Sequence, residues 1–223
     1  AIQSTGKTFD IGAIGIYDSD IDEVIRKDIL GGSGVLFSVM VTNPHADASH
    51  LYLYDATEPV VGTTDVDWSL PIPGSATIFY TFTDGAGGQG GVAFSNLSVA
   101  CVKEVGVADG PGGSGSTAPT GTNILKMTLK ATLRILEIDN TGNTSAISYL
   151  RVYNASDASP GTDKPQIIIK APAGKKVTVT IIAAAGSNGV NLSGGYYATT
   201  NQTGGFDGTA SPAVSTPIRF VTG

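Results

Sequence analysis

Apolar and polar residues alternate with period two along much of this chain. Phe37, Val39 and Val41 alternate with Ser38, Met40 and Thr42, and Leu51 and Leu53, like Leu150 and Val152, are spaced the same way. Leu133, Ile135, Leu136 and Ile138 occupy the stretch that matches the first of these. A period of two sends alternate side chains to one face of a sheet, so these segments predict strands. Ile167-Ile168-Ile169 and the run from Val177 to Ile182 are rich in β-branched residues, which suit a pleated surface. Ile72-Pro73-Gly74-Ser75 and Ala171-Pro172-Ala173-Gly174 read as tight turns. Five or six short, evenly spaced strands in each half predict a sandwich or barrel. One helix is expected, from about Asp20 to Leu30. Asp20 would cap it with Glu23 three residues on, and Gly31-Gly32 would stop it.

The strand segments repeat. Leu51-Tyr52-Leu53-Tyr54-Asp55-Ala56 matches Leu150-Arg151-Val152-Tyr153-Asn154-Ala155 at an offset of 150 − 51 = 99 positions. At the same offset Gly62-Thr63 falls on Gly161-Thr162, Pro73 on Pro172, and Trp68 and Leu70 on Ile167 and Ile169. After one deletion, Val92-Ala93-Phe94-Ser95 meets Val190-Asn191-Leu192-Ser193, and Asp109-Gly110 meets Asp207-Gly208. An ordered series of this kind predicts an internal duplication. The expectation is therefore an all-β chain of two tandem β-sandwich modules. Residues 1–24 form an N-terminal arm, 25–107 the first module, 108–123 a Gly/Ser/Pro-rich linker and 124–223 the second module. The linker assignment rests on Gly110-Pro111-Gly112-Gly113-Ser114-Gly115-Ser116, which cannot bury a core. The last twenty or so residues read as a long loop ending in a strand near Ile218–Val221.

Composition narrows the function classes. With 30 Gly and 11 Pro and 14% charged residues, turns are frequent and long helices improbable. The net charge of −6 repels phosphate backbones, so nucleic acid is not an expected partner. No apolar run approaches the roughly 20 residues that span a bilayer, so no membrane role is expected. Charge divides unevenly. Through Gly110 there are 14 acidic and 4 basic residues, and from Pro111 onward 5 and 9. Either two solvated surfaces have drifted, or the acidic half of one subunit docks on the basic half of a neighbour. Cys101 is the one cysteine, in the apolar run Val99-Ala100-Cys101-Val102, which excludes an internal disulfide and predicts a buried thiol. The opening Ala1-Ile2-Gln3-Ser4 has neither the basic nor the apolar region of a signal peptide. The Asn-x-Ser/Thr triplets at Asn96, Asn143, Asn154, Asn191 and Asn201 fall in a chain rich in these residues and need no glycosylation to explain them.

Candidate chemistry is sparse. Asp18-Ser19-Asp20-Ile21-Asp22-Glu23 begins like a calcium loop, but Glu23 stands where Gly is needed and Ile29 where Glu is needed. His45, Asp47, Ser49 and His50 crowd one segment. A catalytic triad is a geometry rather than a sequence cluster, and Thr141-Gly142-Asn143-Thr144-Ser145 in the other half has no histidine. Asp84 to Gly91 is glycine-rich but lacks the Lys-Ser/Thr ending of a phosphate loop. No catalytic, cofactor-binding or metal-binding residue is assigned. Aromatic residues could form a sugar-binding or contact platform, and Tyr52, Tyr196 and Tyr197, with Tyr80 beside them, are its candidates.

The repeated core resembles a module of structural proteins in tailed bacteriophages. The resemblance lies in Leu51 to Ala56 leading to Gly62-Thr63 and a Pro-Gly turn. It is closer in Leu150 to Ala155, Gly161-Thr162, Pro165, Ala171-Pro172-Ala173-Gly174 and Leu192-Ser193-Gly194-Gly195. It covers most of the second copy and the middle of the first, which departs from it at Val66-Asp67-Trp68. The resemblance implies jelly-roll sandwiches that act as non-enzymatic capsid decoration or cement proteins. They would form a homotrimer on the major capsid protein shell of a virion assembled in host cytoplasm, with no cofactor. A receptor- or carbohydrate-binding tail, fibre or lectin-like module is the alternative it implies.

Overall fold

The computed structural model describes residues 25–27, 29, 32–84, 91–103, 124–127, 131–155, 157–183, 190–206, 210, 212, 214 and 216–222. The first half supplies β1 (Gly34–Leu36), β2 (Ser38–Asn43), β3 (Ser49–Asp55), β4 (Trp68–Ile72), β5 (Ala76–Thr83), β6 (Val92–Phe94) and β7 (Leu97–Val102). The second supplies β8 (Ile124–Met127), β9 (Ala131–Asp139), β10 (Ser148–Tyr153), β11 (Ile167–Ala171), β12 (Lys176–Ala183), β13 (Val190–Leu192), β14 (Tyr196–Asn201) and β15 (Ile218–Thr222). Among the described residues there is no helix. The all-β class is as the period predicts.

The expected helix is corrected where it can be seen. Arg26 and Val99 exchange backbone hydrogen bonds of 2.8 and 2.9 Å, and the Ile29 N–H donates to the Leu97 carbonyl at 2.8 Å. The segment lies along the edge of β7, where Ile25 and Ile29 pack on apolar neighbours. Tertiary pairing outweighs a capping pattern here, because capping is worth only about 1 kcal/mol. The remainder of that segment, the arm over 1–24 and the linker over 108–123 lie outside the described residues, as do 85–90 of the glycine-rich stretch.

Two sheets form the sandwich, and both run through both halves. The first is ordered β7-β3-β4-β11-β10-β14-β8 and the second β13-β9-β12-β5-β2, with β15 also paired to β9. The halves meet at β4·β11 and β5·β12. The first contact is the single pair Ser69↔Ile168, and the second runs over six pairs around Thr81↔Thr180. Both of these pairs join positions 99 apart, so each lies on an approximate two-fold axis through the seam. Pro71 has no N–H to donate to a ladder, in keeping with the brevity of the β4·β11 contact. One core cluster fills the space between the sheets. It unites Leu51, Leu53, Trp68, Leu70 and Phe82 of the first half with Leu136, Leu150, Val152, Ile167, Ile169 and Val179 of the second.

Hydrogen bonds recur at the same offset. Thr63 and Thr64 N–H groups donate to the Val60 carbonyl, as Thr162 and Asp163 do to that of Ser159. Gly62 and Gly161 take φ of 90° and 88° in these two turns. Asp55 Oδ1 accepts the Ser95 and Asn96 N–H groups, and Asn154 Oδ1 accepts that of Gly194. A further pair sits at a corner of each half. Asn43 is buried and donates from Nδ2 to the carbonyl of Ile72 at 3.4 Å; Asn140 is buried and donates to that of Ala171 at 3.1 Å. A buried carbonyl without a donor is costly, and an asparagine at the strand end supplies one.

Candidate functional site: the outer faces of the sheets

Alternation sends Tyr52, Tyr54, Tyr149, Arg151, Tyr153 and Tyr197 away from the core, toward the outer face of the seven-stranded sheet. That face is covered. Val66 and Phe206, from the loops that follow β3 and β14, pack over Tyr52, Tyr54, Tyr149 and Ile168 in a second apolar cluster. Tyr52 lies 5.6 Å from the Phe206 ring, and Tyr153 meets Tyr197 edge-on at 5.7 Å. The expected platform is therefore corrected: Tyr52 is 1%, Tyr196 0% and Tyr197 4% exposed, so none presents its ring to a ligand. Tyr196 belongs to the main core. Tyr80 is fully buried beneath β4, donates to the Pro71 carbonyl, and has its phenol pushed up by burial.

Polar side chains hold the covering loops. Arg151 is fully buried and donates from Nη2 to the carbonyls of Thr203, Gly204 and Gly205 at 2.8, 3.0 and 2.7 Å, and from Nε to Gly205 at 3.1 Å. A guanidinium fork suits such a loop because it can donate five hydrogen bonds in one plane. Across the seam, Lys170 Nζ lies 2.8 Å from Asp67 Oδ1 and 3.7 Å from Asp55 Oδ2. The Asp55 N–H donates to Asp67 Oδ2 at 2.7 Å, and the Tyr149 hydroxyl reaches Asp67 Oδ1 at 3.5 Å. Burial, and then the nearby acids Asp67 and Asp65, push the Tyr149 phenol up. These groups tie β3, β10, β11 and the loop before β4 together.

The histidine segment does not converge. His45 and Asp47 are exposed, and Asp47 pairs with Lys103 at 2.8 Å, which holds its carboxyl below the usual range. His50 is buried on β3 with Nδ1 unpartnered, and desolvation lowers its pKa to about 4. Ser49 Oγ sits near Asn43 Nδ2 at 3.3 Å. Among the described residues, no group of three or more His, Cys, Asp or Glu could hold a metal ion. Cys101 is half-buried and packs against the main core.

No protein-family model matches the chain, and no curated protein or solved structure matches it either. Its surfaces must be judged from their own chemistry. Among the described residues, nothing covers the outer face of the second sheet. Met40, Phe79 and Ile182 are 58%, 37% and 50% exposed. They are also directly opposed, Met40↔Phe79 on β2·β5 and Phe79↔Ile182 on β5·β12, which makes one apolar row across three strands. Hydroxyls flank the row. Thr42 and Thr77 share a hydrogen bond of 2.9 Å, and Ser38, Thr81 and Thr180 stand in register on the other side. Charge on this face gathers on the second half, where Glu137 meets Lys176 at 2.8 Å and Arg219 at 3.8 Å. Strands β2 and β5 carry no charged residue at all. The period could have found this row, since Met40 is the apolar residue on the polar phase of β2.

Proposed function

We propose that the chain is a non-enzymatic structural protein of a virion, a decoration or cement protein that binds the major capsid protein shell as a homotrimer. The observation that carries this reading is the open outer face of the second sheet. A face of threonines that carries no charge on β2 and β5 and is crossed by an exposed apolar row suits protein contact, because large solvent-facing apolar side chains in register mark interaction surfaces. The sequence resemblance to tailed-phage modules supplies the kind of partner. The carbohydrate-binding alternative has less support, because Tyr52, Tyr196 and Tyr197 lie buried. Immunogold labelling of purified particles tests the reading. Regular labelling of the head, with particles that lose heat resistance when the protein is left out, is expected. Particles that lack the protein altogether would refute it.

A further inference from the structure

The approximate two-fold axis allows the two ends of the second sheet to be compared. Superposing β5 on β12 by the offset of 99 brings β2 onto β9, with Met40 on Glu137 and Asn43 on Asn140. The outer edge of β9 is covered by an antiparallel strand, β15, through pairs such as Arg219↔Glu137 and Val221↔Ile135. No described strand pairs with the corresponding edge of β2. Exposed edges normally carry a charge or a proline that blocks pairing with another chain. Edge strand β15 follows that rule with Arg219, but β2 (Ser38-Val39-Met40-Val41-Thr42-Asn43) has neither.

The sequence of β2 says what fits there. Read in opposite directions about Met40, it is the same in chemical class: hydroxyl, valine, methionine, valine, hydroxyl. An antiparallel copy centred on Met40 sets Ser38 against Thr42, Val39 against Val41 and Met40 against Met40. Every cross-strand pair is then matched. The apolar row, which stops at Met40, continues through the junction into Phe79 and Ile182 of the second copy. No like charges are brought together, because β2 and β5 have none.

We propose that two copies of the chain associate through β2, pairing antiparallel about a two-fold axis at Met40 to make one sheet of their second sheets. The contact is self-complementary, as two-fold interfaces are. It goes beyond the capsid reading, and if the chain is a homotrimer it would join one trimer to the next. The purified full chain suffices to test it, so its outcome is separable from whether the protein is found on particles.

The experiment combines sedimentation with a single introduced cysteine. In a Cys101→Ser background, Met40→Cys should form a covalent dimer on mild oxidation. Directly opposed residues in antiparallel strands lie about 4.5–5.5 Å apart at Cα, within the span a disulfide bridges. Met40→Lys should raise the dissociation constant at least tenfold while leaving the circular dichroism unchanged, and the melting temperature unchanged at dilutions where both chains are monomeric, because this side chain is solvent-facing in the single chain. Met40→Leu should retain association and shows that an apolar residue is what the position requires. A chain that sediments as a monomer at every concentration overturns the proposal. So does an oligomer that ignores Met40→Lys and gives no Met40→Cys cross-link.

Discussion

The two corner asparagines offer a comparison in which the fold supplies its own control. Asn140 is fully buried and its Nδ2 serves the carbonyls of Ala146, Ala171 and Pro172 at 2.9, 3.1 and 3.0 Å. Its Oδ1 accepts from Ser148 Oγ at 2.7 Å and from Asn143 Nδ2 at 2.9 Å. Two amide protons and two accepted bonds amount to four hydrogen bonds, at about 1 kcal/mol each in net terms. Asn140→Ala should therefore cost about 4 kcal/mol. Asn43 donates well only to the Asp47 carbonyl at 2.8 Å, with longer contacts of 3.3 and 3.4 Å, and accepts from the His45 N–H at 3.0 Å. Asn43→Ala should cost about half as much, near 2 kcal/mol. Urea unfolding followed by fluorescence of Trp68, the sole tryptophan and fully buried, reads both. At an m-value of about 2 kcal/mol per molar, the midpoints of the two variants should differ by about 1 M. Asn140→Asp, which keeps Oδ1 but faces three carbonyls with a carboxylate, should do no better than alanine. Equal midpoints, or a larger loss at Asn43, would refute the idea that these hydrogen bonds set the strength of each corner.

Three further outcomes are expected. The folded pKa of His50, about 4, lies below the usual unfolded value, so the unfolded chain binds the extra proton as pH falls from about 6.5 to 4. Stability should drop across that window by at most about 3 kcal/mol; His50→Gln should flatten this part of a pH–stability curve, and an unchanged slope would count against the burial of His50. Lys170→Met strands Asp67 and Asp55, whose side chains are only 16% and 21% exposed, and should cost about 2 kcal/mol after allowance for solvent. Asp67→Asn should cost less by the same denaturation assay, because an amide still accepts from the Asp55 N–H. A methyl at Gly74 would lie 1.8 Å from the Ala46 carbonyl oxygen, whereas one at Gly174 meets nothing closer than 3.9 Å and is strained only by its φ of 67°. Gly74→Ala should therefore fail to yield soluble protein, while Gly174→Ala folds with a loss of about 1 kcal/mol by calorimetry.

How far the sequence could be read depended on the range of the interaction. Strand positions and turns were legible because alternation and residues such as Gly62 and Gly161 act locally. Sharing of the sheets was not. Ile168, buried on the outer face of its sheet, was the available sign that β11 lies deep inside a sheet rather than at a module edge. Tyr52 lies on the face opposite Leu51 and Leu53, as alternation requires, yet a period cannot say whether a loop such as that carrying Phe206 will cover that face. Asn43 and Asn140 escaped notice because they are separated by 97 positions rather than 99. The second half has two more residues in the loop that follows, and it carries Ala173 where the first half has Gly74, whose added methyl would meet the Ala46 carbonyl.

The seam between β4·β11 and β5·β12 has the form of a subunit interface that happens to lie within one chain. A half-chain on its own would expose two strand edges and one flank of the shared core, and the surface it lacked would be offered only by the other half. Folding therefore resembles association between two tethered partners. The covalent connection between β7 and β8 makes the meeting of the two halves intramolecular, so neither has to find its partner from bulk solution. Severed there, the pieces would become a bimolecular pair, and stability would pass from a property of the sequence to a function of dilution.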